Sequence, residues 1–461
     1  MTLTLDGAED PAAIDSHRTA LLNASVFDAE DDVSSVEFFY GEASLGTVLQ
    51  PPFEIEIPLS SVDTGLRTFR AVAVDLGGML GQDELEVSIN IAGGNVEDLK
   101  RSLFEAALIP EGQNAVGGGI STFEGRVYVS AINADGSGRL VSLLPELEEQ
   151  WTQTFANGLR APGRGTPEGD LALGTAEGGN WVVRLLDSAS GDTIESWILG
   201  TAPAEYGGFG PQLAVSSEAV YATTGTRTVS RYSLDGEDLG QLVDTEHGVI
   251  SGIVTNTSSD RAYLSYGDAF DVEDASCATS SDFCALAVSA DGEVEWITGL
   301  AKQFAGVHKI AAARDGGVFL AASVPDDQDN AYLLLKLSSS GVVGTMRLHG
   351  STGATIGEAD DDAVIALEGD SKGDVVVCGS YGPVVADAGD ESSTFVALFD
   401  ESLNLVWELR DIFEPNNGAF TLGCAASDDS VFVYGLEDLN IGQVGNAPAG
   451  IGQAWVARIS L

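Results

Sequence analysis

The sequence predicts an all-β protein, with a small sandwich at its N-terminus and a long array of repeated four-stranded units behind it. Three observations predict this class. Glycine is frequent, with 56 residues in 461, long runs of helix-forming residues are missing, and short strand-like stretches bounded by turn residues recur throughout. A hydrophobic content of 44% is enough to bury a core. A chain of this length exceeds one ordinary core, so more than one domain is expected.

The array is defined by one strand that returns about every 50 residues. It reads GRVYVSA at 125–131 and recurs as GDLALGT at 169–175, EAVYATT at 218–224, RAYLSYG at 261–267, GGVFLAA at 316–322, GDVVVCG at 373–379 and DSVFVYG at 429–435. A small-residue strand precedes each copy, a third strand follows it, and a fourth strand, often with a tryptophan, completes most units. A unit of about 40–50 residues with four antiparallel strands is typical of a β-propeller blade.

The ends of the array indicate how it closes. The last unit reaches the end of the chain after its third strand, 455–461, and the strand-like segment 102–109 lies unassigned before the first unit. We expect 102–109 to be the outer strand of the last unit, because an open edge would then be removed. The sequence thus predicts a seven-bladed β-propeller of four-stranded blades over 102–461. The second unit is the least regular, because its first strand, PGRGTPEGD, contains two prolines.

The connections predict which face binds. In an up-and-down blade, the first-to-second and third-to-fourth turns share one face, and these are short here. The second-to-third connections and the crossings between blades share the other face, where we expect long loops at 267–283, 324–331, 380–394 and 435–453. Long loops on a rigid scaffold commonly carry binding residues, so this second face is the predicted working surface.

Residues 1–92 do not follow the repeat and read as short alternating strands, which predicts a sandwich. Residues 93–101 are expected to be a linker, with one helical turn over 95–101 capped by Asn95. The stretch 24–78 resembles the immunoglobulin-like domains of secreted bacterial proteins. The resemblance is carried by VEFFY at 36–40, LGT at 45–47, Pro52-Phe53, Gly65 and AVAVD at 71–75.

The blades resemble bacterial β-propeller repeats, most clearly over 361–411, and DSASGDTIESW at 187–197 is similar to a repeat of quinoprotein-type propellers. These resemblances imply a binding or structural function and no particular reaction. The sequence has no G-x-S-x-G, H-E-x-x-H, P-loop or dinucleotide motif, so no catalytic residue is predicted.

The charge excludes some partners. Asp and Glu number 71 against 21 Lys and Arg, for a net charge of −50, which would repel nucleic acid and anionic membranes. The acidity has two interpretations, solubility in a saline habitat or calcium binding by some carboxylates. No apolar stretch approaches the ~18 residues of a membrane span, and Met1 leads directly into a domain-like sequence. We expect a removed leader and a location outside the cell, at the outer surface or in the periplasm.

The four cysteines suggest an oxidising compartment. Cys277 and Cys284 lie in one polar loop, DASCATSSDFC, and are predicted to form a disulfide. Cys378 and Cys424 lie in separate predicted strands, where they could pair or pack as buried thiols.

Two kinds of metal site are candidates. Calcium could bind the acidic residues Asp326, Asp327 and Asp329, or the N-terminal residues Asp28, Asp31 and Asp32. The alternative is that these are solvated acidic loops, since the full spacing of an EF-hand is missing. A transition metal could bind His247, His308 and His349, which lie at three consecutive blade crossings; the alternative is three unrelated surface histidines.

Aromatic residues on the long-loop face are candidate ligand contacts, because they could stack on sugar rings or peptide side chains: Tyr206, Phe209, Tyr266 and Tyr381. The alternative for them is ordinary blade packing. The first functional hypothesis is a secreted or surface-displayed module that binds a glycan or a protein, with calcium as its only expected cofactor. The alternatives are a metal-assisted hydrolase or lyase acting on polysaccharide, and a structural surface or adhesin component.

Overall fold

The computed structural model describes residues 2–5, 13–14, 18–27, 33–41, 43–59, 65–89, 96–108, 118–133, 135–159, 161–202, 211–225, 228–244, 249–256, 261–267, 283–300, 308–324, 331–350, 363–369, 372–381, 393–410, 420–444 and 447–461. Every regular element within these ranges is a β-strand. The chain divides into two compact units. The first holds residues up to Asn95 together with 397–399 and 404–408, and the second holds the other residues from Val96 onward.

The first unit consists of two sheets. The three-stranded sheet has the order β1–β3–β6, with β1 (Thr2–Leu5), β3 (Arg18–Ser25) and β6 (Glu54–Leu59). The five-stranded sheet has the order β2–β8–β7–β4–β5, with β2 (Ala13–Ile14), β4 (Val33–Tyr40), β5 (Ala43–Val48), β7 (Gly65–Asp75) and β8 (Leu80–Ile89).

One core lies between the two sheets of the first unit. Leu22 and Ile57 of the smaller sheet share a buried cluster with Phe38, Phe69 and other residues of the larger sheet. Alternation explains the arrangement, because Val36 and Phe38 are fully buried in β4 while the residues between and beside them are partly exposed. The first unit is therefore a β-sandwich.

The second unit begins with two outer strands, β9 (Val96–Lys100) and β10 (Glu105–Leu108), and continues as four-stranded antiparallel sheets in chain order. Sheet A contains β11 (Gly119–Phe123), β12 (Arg126–Ile132), β13 (Gly138–Leu143) and β14 (Glu149–Phe155). Sheet B contains β15 (Arg164–Gly165), β16 (Asp170–Glu177), β17 (Asn180–Asp187) and β18 (Thr193–Thr201). Sheet C contains β19 (Leu213–Val215), β20 (Ala219–Thr223), β21 (Thr228–Ser233) and β22 (Asp238–Asp244).

The later sheets repeat this plan. Sheet D contains β23 (Val249–Asn256), β24 (Arg261–Gly267), β25 (Phe283–Val288) and β26 (Val294–Leu300). Sheet E contains β27 (His308–Ala312), β28 (Val318–Val324), β29 (Ala331–Leu337) and β30 (Val343–Gly350). Sheet F contains β31 (Ala363–Gly369), β32 (Val375–Tyr381), β33 (Ser393–Phe399) and β34 (Leu405–Arg410). Sheet G contains β35 (Phe420–Ala426), β36 (Ser430–Val444) and β37 (Ala447–Ser460).

Burial explains why the second strand of each sheet reads as a continuous apolar run. In β12, Val127 and Val129 pack in a cluster shared with sheet G, while Tyr128 packs in a cluster shared with sheet B. A strand covered on both faces has no solvent side to alternate with. The outer strand β14 has only one buried residue, Phe155, at its end.

The first strands of the sheets form a closed circuit of contacts. Strand β11 contacts β15, and β15, β19, β23, β27, β31 and β35 contact one another in chain order. Strand β35 then contacts β11 again. Successive four-stranded antiparallel sheets whose inner strands meet in this way make a β-propeller-like fold.

Sheet G is completed by strands from the start of the second unit. Strand β10 pairs antiparallel with β37 from Glu105, opposite Gln453, to Leu108, opposite Gly450. Strand β9 pairs with the following part of β37, with Lys100 opposite Val456. The expectation of a helical turn over 95–101 is therefore wrong. The segment contains helix-compatible residues, but the ladder with β37 overrides that local preference.

The segment 435–453 also differs from the expectation of a long loop. Strands β36 and β37 run on as a hairpin, with Gln443 opposite Pro448 and Val444 opposite Ala447. Glycines and a proline made this stretch look irregular, but each strand supplies the other's backbone partners. The weak first strand of the second repeat is indeed short, since β15 has only two residues.

A disulfide joins Cys378 of β32 to Cys424 of β35, with 6.1 Å between their Cα atoms. It covalently links sheets F and G, and both cysteines are buried. Of the two open alternatives for these residues, pairing is the one observed. Cys284 in β25 is also disulfide-bonded. Cys277, its predicted partner, lies outside the described residues, so that pairing stays a prediction.

Candidate functional site

The sheets of the second unit have two unlike edges. Because consecutive strands are antiparallel, the first-to-second and third-to-fourth turns lie at the same end of the strands. We call this end of the sheets the tight-turn edge. Its connections are short, for example 124–125 in sheet A and 338–342 in sheet E. The opposite edge, the long-connection edge, carries the second-to-third connections and the crossings between sheets. Its second-to-third connections are longest in sheets D, E and F, at 268–282, 325–330 and 382–392, and are short in sheets A, B, C and G.

At the tight-turn edge, side chains at the start of the third-to-fourth turns accept hydrogen bonds from backbone N–H groups of the same turns. In sheet B, Asp187 Oδ1 accepts the backbone N–H groups of Ala189 and Ser190 at 2.9 and 2.7 Å. In sheet C, Ser233 Oγ accepts the N–H of Glu237 at 2.8 Å, and equivalent bonds to Ser289, Ser338 and Asp400 occur in sheets D, E and F. This local capping makes the third-to-fourth turns of sheets B to F short and regular.

Tryptophans of the fourth strands fix neighbouring sheets together at the same edge. Trp151 of sheet A lies against Gly191 in the turn of sheet B, where a Cβ would come within 2.7 Å of the indole. Trp296 of sheet D lies against Gly341 of sheet E in the same way. Each indole N–H also donates to a turn carbonyl, to Ser188 at 3.1 Å and to Ser339 at 3.0 Å.

Threonine hydroxyls join the inner strands. Thr122 Oγ1 donates to the carbonyl of Ala426 in the sheet before it around the circuit, at 2.5 Å. Thr255 Oγ1 donates to the carbonyl of Val215 in the same relation, also at 2.5 Å. All four residues occupy one register position, opposite the second residue of the second strand. These bonds link the inner strands of neighbouring sheets, sheet G to sheet A and sheet C to sheet D.

The long-connection edge receives four of the sequence-predicted residues. Tyr266 is the penultimate residue of β24, opposite Cys284, and Tyr381 is the last residue of β32. His308 begins β27, and His349 is the penultimate residue of β30, opposite Tyr332. All four positions fall at the edge where the sequence placed the working surface.

The other candidates lie outside the described residues. These are Tyr206, Phe209, His247, Asp28, Asp31, Asp32, Asp326, Asp327 and Asp329. Within the described ranges, no group of three or more His, Cys, Asp or Glu side chains is placed to hold a metal ion. The described ranges also contain no helix long and apolar enough to cross a membrane.

Local contacts shift the pKa values of two carboxylates of sheet B in opposite directions. Burial raises the pKa of Asp170, and the neighbouring carboxylates of Glu168, Asp187 and Glu124 raise it further. At the other end of β16, the hydrogen bonds from Arg184 lower the pKa of Glu177. Arg184 Nε and Nη2 donate to the two carboxylate oxygens at 2.6 and 2.7 Å.

Comparison with known proteins gives a fold likeness only. No family model and no curated protein matches the chain. Among solved structures, BamB from Moraxella catarrhalis is 10% identical, with 88% of this chain and 93% of that one covered at a TM-score of 0.39. A polysaccharide lyase is 11% identical, with 79% and 99% covered at 0.46.

A protein of unknown function from Bacteroides thetaiotaomicron is 11% identical, with 99% of this chain and 98% of that one covered at a TM-score of 0.35. Scores and identities this low support no inference about activity or ligands. The β-propeller-like assignment therefore rests on the chain's own four-stranded sheets and on the circuit of contacts among their inner strands.

Proposed function

We propose that this protein is an extracellular or cell-surface binding module whose long-connection edge receives a glycan or protein ligand. The observation that carries the proposal is the asymmetry between the two edges. One edge has short, side-chain-capped turns, and the other carries the long second-to-third connections of sheets D, E and F, such as 268–282 and 382–392. A rigid base that concentrates its long connections on one side is the usual construction of a binding surface.

The proposal includes two finer statements about architecture. The repeated sheets A to G are the blades of a seven-bladed β-propeller, closed by β9 and β10 on β37. The first unit is an immunoglobulin-like domain that acts as a spacer or attachment arm. The sequence resemblance over 24–78 and the sandwich core around Phe38 and Phe69 support the second statement. The disulfide between Cys378 and Cys424 supports a location in an oxidising compartment.

Among the functional alternatives, the backbone positions favour a binding module over a three-histidine metal enzyme. His308 and His349 lie on the first and fourth strands of sheet E, which are three strand spacings apart. That separation is roughly 14 Å between backbones. It leaves little room for both imidazoles to reach one metal ion, whose bonds to nitrogen are about 2 Å long.

Arrays of glycans and peptides test the binding function. A ligand found there should lose affinity by about tenfold or more when Tyr266 or Tyr381 is changed to alanine, because an aromatic contact at a binding surface contributes this much. The control is Tyr232→Ala, at a residue that is buried between sheets B and C. Circular dichroism checks that each variant is folded. Equal affinity of Y266A, Y381A and the parent would contradict a role for these aromatic residues.

Thermal unfolding of chelator-treated protein tests the calcium part of the proposal. Addition of Ca²⁺ should raise the unfolding midpoint, because a ligand that binds the native state stabilises it by mass action. Removal of the carboxylates of Asp326, Asp327 and Asp329 should abolish the rise if the site is there, and removal of Asp28, Asp31 and Asp32 should do so if it is in the first unit. A rise with Zn²⁺ and none with Ca²⁺ would favour the metal enzyme instead.

A further inference from the structure

The segment 96–108 runs along the outer side of sheet G, and we call it the closing segment. Its first residue, Val96, lies opposite Ile459 near the end of β37, and its last residue, Leu108, lies opposite Gly450. Strand β37 begins at the long-connection edge, in its hairpin with β36, and ends at the tight-turn edge. The chain therefore enters the second unit at the tight-turn edge and crosses sheet G to the long-connection edge.

Backbone hydrogen bonds join the closing segment to β37 at both of its strands and between them. Strands β9 and β10 pair antiparallel with β37, and between them the N–H of Leu103 donates to the carbonyl of Ala454 at 2.8 Å. The N–H of Ala454 in turn donates to the carbonyl of Phe104 at 2.8 Å. Because such bonds lie perpendicular to the strands, a pull along the segment loads them together, whereas a sideways pull at Val96 breaks them one after another.

Two cations of the closing segment bind groups of sheets G and A. Arg101 Nε lies 3.0 and 2.8 Å from the two carboxylate oxygens of Glu437 in β36, whose side chain is 1% exposed. Lys100 Nζ donates to the carbonyl of Leu147, in the third-to-fourth turn of sheet A, at 2.9 Å. A segment that slides along β37 must break both contacts, so they resist the same displacement as the backbone ladder.

An apolar side chain and a third cation add to these contacts. Phe104 belongs to the buried cluster shared by sheets G and A, and the Arg139 guanidinium lies 5.2 Å from the centre of its ring. Arg458 of β37 forms an ion pair with Glu97, with 3.3 Å between Nε and Oε2. The chain has only 21 Lys and Arg against 71 Asp and Glu, so three paired cations on one short segment anchor it unusually firmly.

We infer that the closing segment carries tension between the first unit and a ligand held at the long-connection edge. This inference rests on the proposed function for the position of the ligand. The first unit precedes Val96, so its pull acts at the tight-turn end of the closing segment, while the ligand pulls the sheets toward the opposite edge. The pull then has a component along the ladder with β37, which is the direction in which the hydrogen bonds act together. The first unit could thus serve as an attachment arm without being peeled from sheet G.

Single-molecule force spectroscopy on the full chain tests this inference in two pulling directions. One handle is attached through Val96→Cys, and the other through a cysteine in sheet A, either Asp135→Cys at the long-connection edge or Glu146→Cys at the tight-turn edge. At one loading rate, the first rupture of V96C/D135C should need about twofold more force than that of V96C/E146C, because only the first direction loads the bonds together. The handles replace the ligand, so the measurement does not depend on whether a ligand is found.

Matched variants separate the closing segment from overall stability. Lys100→Met/Arg458→Met removes two of the anchoring cations and should lower the rupture force in the V96C/D135C direction. Arg184→Met removes an ion pair within sheet B and should leave that force unchanged. Circular dichroism checks that each variant is folded.

Two results would overturn the inference. The first is an equal rupture force in the two pulling directions, which would show that the ladder gives no directional strength. The second is an equal loss of force in R184M and K100M/R458M, which would assign the effect to general stability. Neither result bears on ligand binding, which the arrays test separately.

Discussion

Gly341 and Trp296 show how one residue can join two sheets. Gly341 has a φ of +75°, and its missing side chain leaves the space that the Trp296 indole occupies. The sequence revealed the tryptophans of the fourth strands. It could not reveal that their partners are turn glycines of the next sheet, because that contact depends on how sheets stack.

Changing Gly341 to alanine should destabilise the protein by about 2–4 kcal/mol, because the new Cβ meets strain at positive φ and overlap with Trp296. Gly178→Ala is the control, since Gly178 also has a positive φ, +57°, but no atom lies within 4 Å of the added Cβ. It should lose only about 1 kcal/mol. Urea denaturation measures both values. Equal losses in the two variants would show that the contact with Trp296 has no energetic importance.

The two perturbed carboxylates of β16 predict opposite effects. The pKa of Asp170 is raised in the folded state, so its charged form destabilises the fold at neutral pH, and Asp170→Asn should stabilise. The pKa of Glu177 is lowered, so its charge contributes stability that is lost as pH falls through its folded pKa, and Glu177→Gln should destabilise. Both effects should be under ~1 kcal/mol, because the groups are only partly buried.

Thermal unfolding at pH 7 and at pH 3, with and without ~1 M NaCl, measures this difference. The gap between D170N and E177Q should be visible at pH 7, shrink in high salt, and narrow at pH 3, where carboxylates become protonated. Shifts of the same sign in both variants at pH 7 would contradict the assignment of these two environments.

At the scale of elements, the two strands that complete sheet G, β9 and β10, differ in how well the sequence predicts them. Segment 102–109 could be assigned to the outer edge of the last sheet because it had no other partner, and β10 does lie there. Strand β9 was not recognisable, because VEDLK has no alternation of its own and all five of its residues are at least partly exposed. Its conformation comes from the ladder with β37, which local sequence does not encode.

An ion pair between a half-exposed arginine and a buried glutamate lies at this closure. The guanidinium of Arg101, between β9 and β10, donates to both carboxylate oxygens of Glu437, whose side chain is 1% exposed. Arg101→Met should cost roughly 3 kcal/mol, because it leaves a buried carboxylate unpaired. The double variant Arg101→Met/Glu437→Leu should recover much of that loss in chemical denaturation. A double variant as unstable as R101M would show that the cost comes from lost packing.

The disulfide between sheets F and G is a second link that should stabilise the last sheets of the second unit. It spans a sequence separation of 46 residues, and constraining a loop of that length in the unfolded chain is worth about 4 kcal/mol. Cys378→Ala/Cys424→Ala should therefore lower the denaturation midpoint clearly. The comparison is the parent protein reduced and alkylated in denaturant before refolding. A double variant with an unchanged midpoint would show that noncovalent contacts alone hold the two sheets.

At the scale of the whole molecule, the repeat made most of the fold predictable, because one strand pattern returned about every 50 residues. The same regularity located the long-connection edge, since antiparallel order fixes which connections share a side. The side chains that would touch a ligand could not be predicted in the same way. Residues such as Tyr206 and Asp326 lie in connections that do not repeat, so no periodic pattern fixes their positions.

The central claim is that ligand binds at the long-connection edge. Hydrogen–deuterium exchange, with and without the strongest ligand from the arrays, tests it most directly, because protection maps the contact along the chain without any mutation. The account predicts slower exchange in 268–282, 325–330 and 382–392, with no change in the turns 124–125, 188–192 and 338–342. Protection confined to those tight turns, or to the first unit, would contradict it.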